Sequence, residues 1–268
     1  MRFLRKVEYL KDRAGGAQFW EEHWYEQDSV NPLEELKKDR VAPLIRKWVM
    51  SPTGKPGTML DGGCGSGKYL VYFSELGCEV VGVDFSKRAI KVAKRIDSNL
   101  KVVQASVLTL PFCSESFDYY LSLGVLEHFV EGPEAGLREA HRVLKKNGMF
   151  FLSVPYMNNL RTLGERLENW RSKLSGGQRK PEGEFYQYYF TKKELNSILV
   201  NLGFQVLKDY PLNQELGLRR AVPFVKKNRI LNYLTLNLGK LIKHFLPWLS
   251  PHMVLLVCKR GDLDLHDG

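Results

Sequence analysis

A glycine-rich stretch, DGGCGSGKY, spans residues 61–69 and is the part of the sequence best suited to hold a ligand. Its four glycines let the backbone come close to a bound molecule, because a Cβ atom at those positions would collide with it. Three kinds of loop share this composition: a phosphate-binding P-loop, a dinucleotide-binding turn, and a turn for another nucleoside cofactor. The residues beside the glycines discriminate among the three.

Two features argue against a phosphate ligand. Residues 62–68 match the start of a P-loop, but Tyr69 stands where a P-loop has the Ser or Thr hydroxyl that binds magnesium. The dinucleotide pattern GxGxxG is also missed, because the chain spaces its glycines one residue too closely. In either case Asp61 would repel a phosphate, whereas a carboxylate at that position favours a cofactor with a cationic group.

S-adenosylmethionine is the cofactor that these residues indicate. It carries an ammonium group and a positive sulfonium, so Asp61 can orient its methionine part while backbone N–H groups of the loop take the carboxylate. Asp84 follows Gly65 by 19 residues and ends the next strand, where a carboxylate accepts both ribose hydroxyls. An acid at a strand end is also often a helix N-cap, and Asp84 alone does not separate NAD from S-adenosylmethionine. Lys68 is interpreted as a residue in the first turn of the following helix.

The segments that carry these residues predict an α/β fold. Strands are expected at residues 58–61, 78–84, 100–104, 117–123, 149–154, 204–210 and 253–259, and helices within 16–50 and at 68–76, 86–96, 133–146 and 191–202. Apolar strands that alternate with helices indicate a parallel sheet that is covered on both faces.

Five longer stretches extend the pattern: LDGGCGSGKYL, VVGVDFS, QASVLTLPF, FDYYLSLGVLEHF and VLKKNGMFFLSVP. Together they resemble the class I S-adenosylmethionine-dependent methyltransferases, and in particular the small-molecule group that includes quinone and O-methyltransferases. The resemblance covers residues 58–155, and residues 185–210 more loosely. It implies a doubly wound, Rossmann-like sheet of seven mostly parallel strands, in which strand 253–259 is inserted antiparallel beside strand 204–210.

The predicted organisation surrounds this core with a helical cap and two insertions. The divisions are an N-terminal helical cap (1–50), the cofactor-binding core (51–155), an insertion that forms a substrate lid (156–190), and the C-terminal part of the core (191–268) with a basic amphipathic insertion (211–250).

The resemblance also implies the cofactor contacts. They come from Asp61, Gly62, Gly63, Cys64, Gly65, Asp84, Phe85, Ser106, Val107 and Leu123. In the family pattern the glycine loop cradles the methionine part, Asp84 holds the ribose and Phe85 flanks the adenine. Ser106 departs from the pattern, because an Asp is common there, and a hydroxyl is a weaker hydrogen-bond acceptor than a carboxylate.

Transfer of a methyl group from a sulfonium is an in-line displacement with an activated donor. The protein therefore mainly aligns the acceptor and excludes water, and a base helps when the acceptor is a hydroxyl rather than a carbon. His128 is the candidate catalytic base, although a histidine there is also typical of a packing group. Tyr25, Tyr186 and Tyr188 are candidate acceptor-binding residues, and Trp20 and Trp24 could join Tyr25 in a lid.

Charge is unevenly distributed along the chain. The formal net charge is +10, and nine Lys or Arg residues but no acid lie between Glu215 and Asp262. Within this region, residues 229–249 place apolar side chains at helical spacing. Such a segment suits peripheral contact with an anionic membrane, but equally a cap over the substrate pocket or a dimer face.

Other function classes are disfavoured. No nucleic-acid partner is expected, because the chain has no recognisable nucleic-acid-binding module. The four cysteines form no CxxC pair, so no metal site is expected and reduced thiols in the cytoplasm fit best. The expected function is methyl transfer to an oxygen or carbon of a small molecule. The alternatives are a lipid or lipid-linked acceptor at a membrane, and an inactive module that binds S-adenosylmethionine.

Overall fold

The computed structural model describes residues 6–10, 16–26, 31–50, 56–174, 183–221, 237–238 and 245–261. In chain order the elements are β1 (Lys6–Leu10), α1 (Gly16–Glu26), α2 (Pro32–Lys37), α3 (Ala42–Val49), β2 (Thr58–Gly62), α4 (Lys68–Glu75), β3 (Glu79–Asp84), α5 (Lys87–Ile96), β4 (Lys101–Gln104), β5 (Phe117–Leu123), a 3-10 helix η1 (Leu126–His128), α6 (Glu134–Val143), β6 (Leu144–Pro155), α7 (Asn159–Leu174), β7 (Glu184–Tyr189), α8 (Lys192–Asn201), β8 (Phe204–Leu212), α9 (Gln214–Ala221) and β9 (Met253–Arg260).

Seven strands form the main sheet, in the order β4-β3-β2-β5-β6-β9-β8. The first five strands are parallel, and β9 lies antiparallel between β6 and β8. The predicted fold class is therefore confirmed, including the antiparallel last strand. The chain runs outward from β2 to β4 and then returns to the other side of β2 as β5. This reversal separates the loops after β2 and β5, and in such sheets ligands bind in the resulting crevice.

The central strands are buried on both faces. Tyr120 of β5 and Phe150 of β6 pack into a core on one face of the sheet. Their sequence neighbours Leu121 and Phe151 pack into a second core on the opposite face. Successive side chains of a strand point to opposite faces, so the buried residues at the centres of these strands alternate between the two cores. The carboxyl ends of the strands are thereby held in fixed positions.

Two predicted helices, at 86–96 and 191–202, begin with a side-chain cap, whereas a third differs from its predicted range. Ser86 accepts a hydrogen bond from the Ala89 N–H at 3.1 Å, and Thr191 accepts one from the Glu194 N–H at 3.2 Å. The helix predicted at 133–146 is too long, because α6 ends at Val143. Leu144 already has an extended backbone and pairs with β5, so β6 begins five residues before the predicted strand.

A second, two-stranded sheet joins the N-terminus to the segment after α7. In it β1 pairs antiparallel with β7, and Glu8 lies opposite Gln187. No strand was predicted at residues 6–10, because KVEYL is short and flanked by charged residues. The pairing places β7 where it contacts η1, as described below.

The basic C-terminal insertion is described only in part. β8 extends to Leu212 and α9 follows it, whereas most of the predicted helix at 229–249 lies outside the described residues. Among the residues that are described, no helix combines the length and the apolar character needed to cross a membrane.

Candidate functional site

A cavity of about 710 Å³ lies at the crevice where the strand order reverses. Its floor is formed by the loops that follow β2, β3 and β5, and α1 contributes Trp20, His23 and Trp24 to its wall. The predicted cofactor residues that line it are Asp61, Gly63, Cys64, Gly65, Asp84, Phe85, Ser106, Val107 and Leu123. Gly62 is not part of the lining. It packs inside the sheet, where a Cβ atom would overlap the Tyr120 hydroxyl.

The glycine loop turns sharply over the end of β3. The N–H groups of Gly63 and Cys64 donate to the Val83 carbonyl at 2.7 and 2.9 Å. Gly65 has a φ of +51°, and a Cβ atom on it would lie 2.5 Å from the Trp24 ring. Glycine is needed there both for the left-handed backbone and for the close approach of the tryptophan. Trp24 therefore covers the loop.

Asp61 is a deeply buried carboxylic acid. Its side chain is 2% exposed, and its Oδ2 atom has no hydrogen-bond partner among the described residues. Burial, reinforced by the charge of Asp84, raises its pKa to about 7. A buried carboxylate is stabilised by a nearby cation, and Asp61 lines the cavity, so this position suits the cationic end of S-adenosylmethionine.

Asp84 is held in place by the backbone. Its Oδ2 atom accepts a hydrogen bond from the Gly65 N–H at 3.0 Å, and its Oδ1 atom accepts one from the Ser86 N–H at 2.9 Å. Burial nevertheless raises its pKa. Each carboxylate oxygen still has a lone pair for a further donor, so the side chain can accept hydrogen bonds from the two hydroxyls of a ribose. Both acids therefore fit the predicted cofactor.

The cavity wall beyond Asp84 suits a planar nucleobase such as adenine. Phe85 is 37% exposed on this wall, and the Gln104 side-chain amide donates to its backbone carbonyl at 3.0 Å. Ser106 faces the same cavity, and its hydroxyl oxygen accepts a hydrogen bond from the Leu108 N–H at 3.2 Å. Ser106 therefore uses one lone pair to hold its own turn, which leaves the other for a ligand.

His128 lies on the cavity wall in a defined tautomer. Its Nδ1 atom lies 2.8 Å from the Tyr186 carbonyl oxygen. A carbonyl can only accept a hydrogen bond, so Nδ1 carries the proton and Nε2 keeps its lone pair. Burial lowers the His128 pKa to about 4, so the ring is neutral at pH 7. The edge of the Trp20 ring packs against it, with a centroid distance of 4.7 Å.

Glu127, next to His128 in the chain, is a second buried acid. Burial raises its pKa to about 8, so its carboxyl group is protonated at neutral pH. Its Oε1 atom lies 3.8 Å from Nε2 of His128. Both side chains are therefore neutral at pH 7.

Two of the three predicted acceptor-binding tyrosines, Tyr186 and Tyr188, lie outside the cavity lining. Tyr186 lies behind His128, with ring centroids 4.9 Å apart, and Tyr188 donates its hydroxyl to the Val130 carbonyl at 2.6 Å. Neither residue lines the cavity, because β7 supports η1 and the residues after it from outside. The Tyr25 side chain lies outside the described part of the structure.

The cavity also has lining residues that sequence reasoning did not assign to a ligand. They include His23, Glu35, Lys68, Tyr69, Phe129, Val130 and Glu131. His23 and Glu35 come from the N-terminal helices, whose contact with the core has no local signal in the sequence. Lys68 directly follows the last glycine of the loop, but the sequence predicts only that it begins a helix.

Comparisons with known proteins agree with this geometry. Residues 60–152 match the family described as "Methyltransferase domain". An uncharacterised protein of Methanocaldococcus jannaschii is 32% identical over 187 residues, which is 69% of this chain and 77% of that protein. A ubiquinone biosynthesis O-methyltransferase of Pseudomonas paraeruginosa is 30% identical over 138 residues, which is 49% of this chain and 57% of that enzyme.

One solved structure is similar over nearly the whole length. It is the Burkholderia thailandensis 1,6-didemethyltoxoflavin-N1-methyltransferase with bound 1,6-didemethyltoxoflavin and S-adenosylhomocysteine. The similarity covers 98% of each chain, with a TM-score of 0.53 and 19% sequence identity. At this level of identity the likeness concerns the fold.

The pKa of Asp61 predicts that cofactor affinity depends on pH. Asp61 must be ionised to pair with a cation, so below a pKa of about 7 binding has to displace its proton. We expect the dissociation constant for S-adenosylmethionine to fall roughly tenfold between pH 6 and pH 7.5, with release of a proton. Calorimetry in buffers of different ionisation enthalpy measures both effects.

Asp61→Asn is the control and should bind S-adenosylmethionine weakly at every pH. A flat profile for the unmodified chain would contradict the assignment of Asp61.

The functional identity follows from two independent kinds of observation. The crevice holds two buried acids and a glycine loop in positions that fit a cationic nucleoside, and the family match covers the strands and loops that form it. S-adenosylmethionine is therefore the cofactor. The chain belongs to the class I S-adenosylmethionine-dependent methyltransferases.

Proposed function

We propose that the enzyme methylates an oxygen of a small, largely apolar acceptor and uses His128 as the base. The observation that carries the proposal is the position of His128. Its unprotonated nitrogen belongs to a side chain that lines the same cavity as Asp61 and Asp84. A base in that position can take the proton of an acceptor hydroxyl beside the cofactor.

The size and lining of the cavity support a small acceptor. A volume of about 710 Å³ lies within the usual range of roughly 300–1,000 Å³ for small-molecule sites. Trp20, Phe129 and Val130 provide aromatic and apolar surface near His128. The similar enzymes from Pseudomonas paraeruginosa and Burkholderia thailandensis are named for ubiquinone biosynthesis and for 1,6-didemethyltoxoflavin, and both names refer to small molecules.

The charges around the cavity favour an acceptor without negative charge. Four acids line it: Glu35, Asp61, Asp84 and Glu131. Within the described residues, Lys68 is the one Lys or Arg in the lining, and its ammonium already lies 3.1 Å from Asp39. An anionic acceptor would therefore meet net repulsion.

The side chains suggest how the reaction proceeds. S-adenosylmethionine supplies an activated methyl group, and the chain aligns the acceptor with it and excludes water. His128 accepts the hydroxyl proton on Nε2, and the Oε1 atom of the neutral Glu127 carboxyl group lies 3.8 Å from that nitrogen. Because Nδ1 is fixed by the Tyr186 carbonyl, the base is oriented before the acceptor binds.

Replacement of His128 tests this role. In His128→Gln we expect turnover to fall roughly 10²- to 10⁴-fold, because proton transfer by a positioned base contributes about that much. Binding of S-adenosylmethionine should change less than about twofold, because His128 is not assigned to the cofactor. The measurement is incorporation of label from methyl-labelled donor into a metabolite extract, with lipid and nucleic-acid fractions assayed separately.

His23→Gln is the matched control, because His23 lines the same cavity without an assigned proton transfer. We expect it to retain turnover within a few-fold. Full turnover in His128→Gln would contradict the role of His128 as base and would favour a carbon acceptor that needs none.

Three exposed apolar side chains favour a second candidate, in which the acceptor is a lipid or lipid-linked molecule at a membrane. Trp170 of α7 is 61% exposed, and Phe245 and Leu246 are 79% and 57% exposed. The start of α7 lies beside the C-terminal segment, because the Asn158 side chain donates to the Pro251 carbonyl at 2.8 Å. The basic sequence before Phe245 adds attraction to anionic lipid.

Vesicle flotation tests the second candidate. We expect the chain to float with vesicles that contain phosphatidylglycerol at low salt, and less with pure phosphatidylcholine, because both charge and apolar burial contribute. Replacing Phe245 and Leu246 together with Ser should reduce flotation. If the chain remains unbound to anionic vesicles, the acceptor is not presented at a membrane surface.

A further inference from the structure

A lysine lies at the end of the cavity that also contains Asp61. Lys68 is the first residue of α4, and its side chain lines the cavity with 23% exposure. Its positive charge is close enough to lower the pKa of Asp61, against the larger effects of burial and Asp84. The ammonium lies 3.1 Å from Asp39 and 3.6 Å from Glu35. These contacts hold Lys68 at the wall beside the glycine loop.

Asp39 is fixed by several donors. Its Oδ1 atom accepts hydrogen bonds from the N–H groups of Val41 and Ala42 at 2.7 and 2.8 Å. Its Oδ2 atom accepts one from the Tyr69 hydroxyl at 2.9 Å and faces Lys68. The carboxylate therefore starts α3 and at the same time orients two consecutive residues of α4. A side chain with this many partners is a rigid support for the Lys68 ammonium.

The charges at this end of the cavity match an α-amino acid. Asp61 and Glu35 are acids that can pair with an ammonium group, and Lys68 is a cation that can pair with a carboxylate. An ammonium has three N–H donors, of which Asp39 and Glu35 account for two. Lys68 therefore keeps a donor for a ligand. At the opposite end of the cofactor site, the described lining residues provide no Lys or Arg beside Asp84 and Phe85.

We propose that Lys68 binds the carboxylate of the methionine part of S-adenosylmethionine, and that Asp39 and Tyr69 position it. The backbone N–H groups of the glycine loop were expected to take that carboxylate alone, with Lys68 only starting the helix. Lys68 does both, because the first turn of α4 points its side chain into the cavity. The inference deepens the cofactor site and does not depend on the identity of the acceptor.

A purely structural role for Lys68 makes a different prediction. If the Lys68–Asp39 pair only tied α4 to the N-terminal helices, its loss would loosen the whole site and would weaken every ligand that binds there. If it were a solvated ion pair, its loss would change little. A carboxylate contact instead affects only ligands that carry the carboxylate. Two nucleosides separate these possibilities: S-adenosylhomocysteine, and 5′-methylthioadenosine, which lacks the amino-acid part.

Calorimetric titration of Lys68→Met with both nucleosides tests the proposal. We expect the affinity for S-adenosylhomocysteine to fall at least about tenfold, as for loss of a hydrogen bond to a charged group, and the affinity for 5′-methylthioadenosine to change less than about twofold. Lys68→Arg should retain most of the affinity, because it keeps the charge. Tyr69→Phe should give an intermediate loss for S-adenosylhomocysteine alone, because Asp39 then has one donor fewer.

Two outcomes would overturn the proposal. Equal weakening of both nucleosides would assign Lys68 a structural role, and unchanged affinity for both would make the ion pair a surface feature. Binding of 5′-methylthioadenosine also shows that each variant is folded. Because no acceptor is present, the result is independent of whether the proposed acceptor chemistry is correct.

Discussion

A carboxylic acid buried at the point where the strand order reverses is the constraint on which the site depends. Asp61 is nearly inaccessible and its Oδ2 atom has no hydrogen bond within the described structure. An isolated buried charge is costly, and here the cost appears as a pKa raised to about 7. A cation that enters the cavity therefore stabilises the ionised form of this side chain. The Asp61 carboxylate thus favours the binding of a positively charged ligand.

The fold positions the binding groups of the site and shields them from water. Parallel strands buried on both faces fix the positions of Asp61 and Asp84, and left-handed glycines turn the backbone between them. Helix α1 closes the site from the N-terminal side, where Trp24 covers the glycine loop and Trp20 packs on His128. Binding groups therefore come from the sheet, whereas the groups that exclude water come from outside it. This division suits a reaction in which alignment and desolvation matter most.

Local patterns in the sequence were sufficient to predict the sheet and most of the cofactor groups. Asp61, Asp84 and the glycines between them lie within 24 residues, at strand ends that periodicity and β-branched residues identify. The contacts that could not be predicted join distant segments. Glu8 pairs with Gln187, Asp39 holds Lys68, and the Tyr186 carbonyl sets the tautomer of His128. A backbone carbonyl leaves no signature in the residue type, so the contact of the Tyr186 carbonyl with His128 has no signal in the sequence.

Equilibrium binding of two nucleoside cofactors tests the central claim most directly, because Asp61 is what separates them. Calorimetric titration at pH 7.5 with S-adenosylmethionine and, separately, with NAD compares a cationic ligand with a pyrophosphate at the same crevice. The account predicts saturable binding of S-adenosylmethionine at one site per chain and no detectable binding of NAD. Binding of NAD with comparable affinity, or failure of S-adenosylmethionine to bind, would contradict it.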